Sequence, residues 1–192
     1  MSGTFPSSPG FTAVNFRTAN YNLSSTSLSG RTQVRSLGSQ RWEFSVSFPP
    51  MDRSEYGPVN AFLVKQRGML ESFQIVLPII SMQSGNASGS KTVNGALSAG
   101  ATTVNLQGGS GTLKSGDVFK FAGHNKVYMF TADRNGNGNV TFEPPLSASV
   151  ADGEGIVITN VPFTVRINND VQEYNYSTDG TVSYEIDMIE VI

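Results

Sequence analysis

Cysteine is absent from the chain, so neither a disulfide framework nor a thiolate metal site is available to it. Histidine occurs once, as His124, in a Gly123-His124-Asn125 setting that reads as a turn. Imidazole catalysis would rest on that residue alone, and no acid stands at a spacing that obviously orients it. Charge is also scarce: Asp, Glu, Lys and Arg make up 15% of the residues and leave a net charge of −2, too little to imply a polyanionic partner. No apolar run approaches the ~20 residues that span a bilayer. The opening ten residues, Met1 to Gly10, lack the basic start and apolar centre of a signal peptide. These absences lead to the expectation of a protein made in a cytoplasm, soluble there, and needing no cofactor.

Gly, Ser, Asn and Thr are plentiful by contrast, which suits an all-β chain with many turns. The most telling pattern is a pair of alternating segments near the two ends, Trp42-Glu-Phe44-Ser-Val46-Ser-Phe48 and Val182-Ser-Tyr184-Glu-Ile186-Asp-Met188. Strand side chains alternate faces, so each segment sets a bulky row on one side and Ser, Glu or Asp on the other, as in a sheet wet on one face. If the two strands share a core, Trp42 and Tyr184 belong on its buried faces. The stretch from Gly89 to about Asn160 then leaves that core and returns to it. At 192 residues the chain can build one ordinary core and a small second one.

Residues 1–40 carry scattered apolar anchors, Phe5, Phe11, Val14, Phe16, Tyr21 and Leu23, and are expected to wrap on a neighbouring surface or to form edge strands. Arg31 to Leu37 is the best strand candidate there. Pro49-Pro50 stops sheet pairing after Phe48, because proline has no N–H to donate. Asp52 or Ser54 can cap a helix with Pro58 in an early turn, Val59, Phe62, Leu63 and Gln66 on one stripe and Gly68 at its end. Leu70 to Ile80 returns to strand alternation through Phe73, Ile75 and Leu77. A flexible run, Ser84 to Ser90, opens the middle segment, where short strands at 102–106, 118–121, 127–130, 140–142 and 156–158 alternate with Gly-rich turns, as in a small barrel or sandwich.

Three constellations invite chemistry. Asp133-Arg-Asn135-Gly-Asn137-Gly138 begins like a calcium loop, but the twelfth position, which wants a bidentate Glu, is Pro144, and strands flank the loop where the motif wants helices. It reads as a hairpin turn. Glu43, Glu185 and Asp187 could form a glycosidase-type acid pair, yet their regular alternation with Phe44, Tyr184 and Ile186 assigns them to wet strand faces. Arg31, Arg35, Arg41 and Arg53 stand near aromatics, whereas single-strand nucleic-acid grooves need stacking platforms in a broadly positive channel. No enzyme is expected.

Charge is distributed unevenly. Residues 1–80 hold seven Lys/Arg against four acids, 81–159 five of each, and 160–192 one Arg against six acids. In a monomer these charges decorate a solvated surface with some cross-strand pairing. In a self-assembling protein a basic face meets an acidic face on the next copy, which sets register and encounter. Acids lining a channel would repel DNA, as suits a conduit.

The run Gln33-Val-Arg35-Ser-Leu-Gly38-Ser-Gln-Arg41-Trp42-Glu-Phe44-Ser-Val46-Ser-Phe48-Pro49-Pro50-Met51, with Ala61-Phe62-Leu63 and Arg67-Gly68, resembles the opening of distal-tail-type proteins of tailed bacteriophages. Val182-Ser-Tyr184-Glu-Ile186-Asp-Met188-Ile189-Glu190-Val191 is similar to the closing strand of that family's belt domain. Lys114-Ser-Gly116-Asp117-Val118-Phe119, Val127-Tyr128 and Phe142-Glu143-Pro144-Pro145-Leu146 resemble the small β-domain often inserted in such proteins.

The resemblance implies a ring, usually hexameric, that continues the tail tube towards the central hub and offers peripheral baseplate or receptor-binding proteins a place to attach. It implies a mainly β fold: a β-sandwich or barrel belt domain, residues 1–88 with 160–192, flanked by one α-helix, and an inserted small β-barrel-like domain, residues 89–159. The implied partners are further copies of the chain, the tail-tube protein, the hub protein, and DNA in passing; the implied place is the virion tail, assembled in the host cytoplasm. The chain is shorter than many such proteins and is expected to lack their large C-terminal arm, which weakens the expectation that it carries receptor-binding proteins itself. Arg31, Arg35 and Arg41 are the candidate oligomer interface, and Glu173, Asp179, Glu185, Asp187 and Glu190 the candidate channel or interface acids. A tail-tube or tail-completion subunit is an alternative within the same class. A carbohydrate- or receptor-binding β-module, with Tyr128, Tyr174 and Tyr176 as its few aromatic platforms, is one outside it.

Overall fold

The computed structural model describes residues 2–178 and 180–192 and is mainly β. In chain order its elements are β1 (Ala13–Ala19), β2 (Asn22–Thr26), β3 (Thr32–Ser36), β4 (Arg41–Ser47), α1 (Arg53–Lys65), β5 (Phe73–Ile75), β6 (Thr92–Val93), β7 (Thr103–Gln107), β8 (Thr112–Leu113), β9 (Val118–Phe121), β10 (Val127–Phe130), β11 (Arg134–Asn135), β12 (Gly138–Glu143), β13 (Ile156–Val157), β14 (Phe163–Ile167), β15 (Asn175–Tyr176), β16 (Val182–Ser183) and β17 (Glu185–Glu190).

Five strands form the first sheet, in the order β1-β4-β17-β14-β5. The two alternating terminal segments are direct antiparallel neighbours, with Phe44 opposite Met188 and Val46 opposite Ile186. All four side chains are buried, as are Phe73, Ile75, Phe163 and Val165 on the adjoining strands. The intervening Glu43, Ser45, Ser47, Glu185 and Asp187 fall on the opposite face, as strand alternation requires. Trp42 and Tyr184 both lie in this core. Tyr184 interrupts the second segment: Val182 and Ser183 pair with β15, while β17 pairs with β4.

The helix packs on this core through Val59 and Leu63. Asp52 caps it, its carboxylate accepting the backbone N–H groups of Ser54 at 2.8 Å and Glu55 at 3.1 Å. Pro58 sits one turn deeper than the early-turn position expected. Its missing N–H deprives the Ser54 carbonyl of its intrahelical donor, and both residues are exposed, so water can take that place. Strand β5 is shorter than its alternation suggests, because its partner β14 begins at Phe163, opposite Ile75. Leu77 remains buried, but its N–H turns to the Ser81 hydroxyl at 2.9 Å. The N-terminal segment covers the β5 edge: Phe5 N–H donates to Gln74 at 2.7 Å, and the Phe5 ring enters the core against Phe48, Phe62 and Phe73.

The second sheet runs β13-β9-β10-β12-β7-β6. Its ends meet, since Ile156 N–H donates to Lys91 at 3.1 Å and Val93 N–H to Glu154 at 2.9 Å. The result is a small barrel filled by Phe119, Phe121, Tyr128, Phe130 and Phe142. The run Ser84–Ser90 is not a free linker. Asp117 accepts the Ser84 N–H and hydroxyl, both at 2.7 Å, Ala87 is buried in the barrel's cluster, and Ser88 bridges to Ser110. Gly111 permits this approach: a Cβ there would stand 2.2 Å from the Asn86 carbonyl oxygen. The chain crosses between the cores where Val161 N–H donates to the Ser81 carbonyl at 3.0 Å, so residues 84–88 pack with the barrel and not with the sheet that precedes them.

Candidate assembly surface

Arg31 and Arg35 stand on a two-stranded ribbon, β2 paired with β3, that joins β1 to β4. Every residue of the two strands is exposed. Leu23 lies opposite Arg35 and Ser24 opposite Val34, so each face of the ribbon shows one apolar side chain among Ser, Thr, Gln and Asn. Leu28 at the turn is fully exposed. Neither arginine forms a salt bridge among the described residues.

Glu185 and Asp187 lie on the outer face of the five-stranded sheet, at the end where Glu185 is opposite Ser47 and Asp187 opposite Ser45. The Ser45 hydroxyl bonds to the Glu185 carboxylate, and Arg17 approaches Asp187 at 3.9 Å with both side chains more than half exposed. A hollow beside them is lined by Glu173, Gln172 and the exposed Val171. The wet-face reading of these acids therefore agrees with their positions. Asp179 lies outside the described residues.

Arg41 is separate from the ribbon's arginines. It begins β4, half-buried, with its Nε unpartnered among the described residues. Glu190 requires a correction, because it faces neither a channel nor a neighbouring copy. It is fully buried and forms an ion pair with the buried Lys126. Its carboxylate also accepts the N–H of Val127 at 2.8 Å and of Trp42 at 3.2 Å, while the Trp42 indole N–H donates to the Val127 carbonyl at 2.8 Å. Burial pushes the Glu190 carboxyl up and the Lys126 ammonium down, each opposed by the other's charge. This is a seam: the sheet's last strand holds the β10 end of the barrel. The strand pattern contained the clue, because Ile186, Met188 and Glu190 share the inward parity, and an acid on the inward row needs a partner.

His124, Tyr128 and the calcium-like run serve the fold, whereas Tyr174 is half-buried and Tyr176 exposed. His124 stands in a turn, its Nδ1 3.2 Å from the Tyr128 hydroxyl and its Nε2 3.4 Å from the Ser149 carbonyl. Tyr128 is buried, its hydroxyl bound to Ser147 at 2.9 Å, and cannot serve as an exposed platform. Asp133 takes the Lys114 ammonium at 2.6 Å and the Ser115 N–H at 2.9 Å, and Arg134 donates to the Asn137 carbonyl. The calcium-like run is thus a tied hairpin between β10 and β12. Among the described residues, no three His, Asp or Glu side chains stand together as a cation site. No described helix is long and apolar enough to cross a membrane.

No family model matches the sequence. Over 159 residues the chain is 24% identical to the distal tail protein pb9 of Escherichia phage T5, an alignment that covers 80% of this chain and 78% of that protein.

Proposed function

We propose that the protein is a non-enzymatic structural subunit of a bacteriophage tail, one that forms a ring at the distal end of the tail tube and joins it to the baseplate hub. The observation that carries this reading is the likeness to a distal tail protein along 159 residues, a stretch too long to fall within either core alone. The site geometry supports it. An exposed ribbon and the wet outer face of a sheet are surfaces suited to contact between proteins. In this reading residues 1–88 with 160–192 form the ring and residues 89–159 decorate it, apart from the stretch 84–88 that packs with the barrel.

Native mass spectrometry of the purified chain, with electron microscopy of the same sample, tests the proposal. The expected result is a closed oligomer of fixed copy number with a central opening. A chain that stays monomeric at every concentration, both alone and with tail tubes, overturns the ring.

A further inference from the structure

We propose that the β2–β3 ribbon of one copy docks on the outer sheet face of a second copy, over the surface that presents Glu173, Glu185 and Asp187. This deepens the ring reading above and rests on it.

The ribbon needs a partner. An isolated two-stranded hairpin is marginal in water, and this one contributes no residue to either apolar cluster. Leu23, Leu28 and Val34 are all strongly exposed on it. Its charge is of one sign: residues 1–42 contain four arginines and no acid, and residues 167–192 contain six acids and no Lys or Arg. On the receiving surface the hollows beside Glu185 and Asp187 are lined by Asn15 and Arg17 on one side and by Gln172, Glu173 and the exposed Val171 on the other, so that Val171 offers an apolar contact amid acids. Complementary charge of this kind fixes partner and register.

The sheet itself explains why the partner is another copy and not the same chain. The ribbon leaves the sheet where Ala19 is opposite Arg41, whereas Glu185 is opposite Ser47 at the other end of β4. Six residue steps of strand, about 20 Å, separate the two ends. Donor and acceptor surfaces at opposite ends of one molecule make a head-to-tail contact, and repeating that contact gives a ring if its rotation closes.

The test compares the masses of four proteins in solution by sedimentation and native mass spectrometry: the parent, Arg31→Glu with Arg35→Glu, Glu185→Lys with Asp187→Lys, and the chain carrying all four changes. The parent assembles, and each reversed pair weakens association by at least about tenfold. The fourfold variant, with both signs exchanged, assembles again, and raising salt weakens parent and fourfold variant alike. All four positions are exposed, so matched thermal unfolding of the variants serves as the folding control. A parent that assembles while either reversed pair leaves its mass unchanged overturns the docking and leaves the ring standing. Loss of assembly in each pair without recovery in the fourfold variant also overturns it. A parent that stays monomeric at every concentration, both alone and with tail tubes, overturns both.

Discussion

Trp42 joins three parts of the molecule with one side chain. It stacks on Phe16 of the edge strand with ring centres 4.7 Å apart, lies in the core of the first sheet, and gives its indole N–H to the barrel at Val127. Trp42→Ala is expected to cost about 3–5 kcal/mol, the usual penalty for removing a large aromatic from a core, measured by denaturant unfolding. Trp42→Phe should cost less, since it keeps an aromatic ring against Phe16 and loses the hydrogen bond and part of the ring volume. Glu190 makes a sharper case. Glu190→Ala strands the Lys126 ammonium in the seam and should cost about 3–5 kcal/mol, whereas replacing both members, Glu190→Leu with Lys126→Met, should recover most of that loss. A double variant as unstable as the single one would show that the carboxylate's bonds to Trp42 and Val127 matter more than the charge pair.

The elements were legible to different degrees, and the reasons are local. β4 and β17 were readable because each sets its bulky row on one face, which imposes alternation, although Ser45 and Ile189 on the other parity are buried as well. The strands at 118–121 and 127–130 were readable from their aromatic and β-branched density. β1 was expected only as part of an edge segment, since Val14 and Phe16 are half-buried and give a weak signal. β2 was missed because a ribbon with no buried face has no hydrophobic period to read. The helix was readable from its cap, and that cap can be tested by pH. The Ser54 hydroxyl and the Glu55 and Ser54 backbone N–H groups hold the Asp52 carboxyl below its ordinary value. An acid whose value is depressed in the folded state contributes above its unfolded value, near ~3.9, and that contribution is lost as pH falls through the lower folded value. Amide exchange at Ser54 and Glu55 should therefore accelerate selectively as pH drops below about 4, after correction for intrinsic rates. Asp52→Asn, which still caps, should abolish that pH step. At the helix's other end, Gly68 has φ +67° and a Cβ there would lie 2.5 Å from Asp170 Oδ1, the acceptor of the Met69 N–H. Gly68→Ala should destabilise by at least about 1 kcal/mol, read as a lower melting temperature.

At the scale of the whole molecule, sequence texture separated two β regions but not the way they are joined. Turn-rich strands at 102–158 predict a small barrel wherever it docks, and nothing in their spacing tells Lys126 and Val127 from other barrel residues. The seam depends on Glu190, Trp42 and Val127, which are distant in sequence. It bears on whether the barrel can be removed. Ser81 and Val161 are adjacent in space, so a short Gly-Ser bridge in place of residues 82–160 closes the chain without strain, as inserted domains with close ends allow. Yet the deletion strips Trp42 of its hydrogen-bond acceptor and Glu190 of its counter-ion, and it uncovers the part of the first core against which Val118, Val127 and Met129 pack. The bare deletion should fold, judged by a cooperative thermal transition, but melt well below the parent. Adding Glu190→Gln, which removes a charge no longer paired, should raise that melting temperature. An insoluble product from both versions would mean that the two cores are one folding unit and that the barrel is structural to the whole chain. A deletion as stable as the parent would mean that the seam contributes nothing to the first core, and would leave Glu190 and Lys126 needed only to hold the barrel in place.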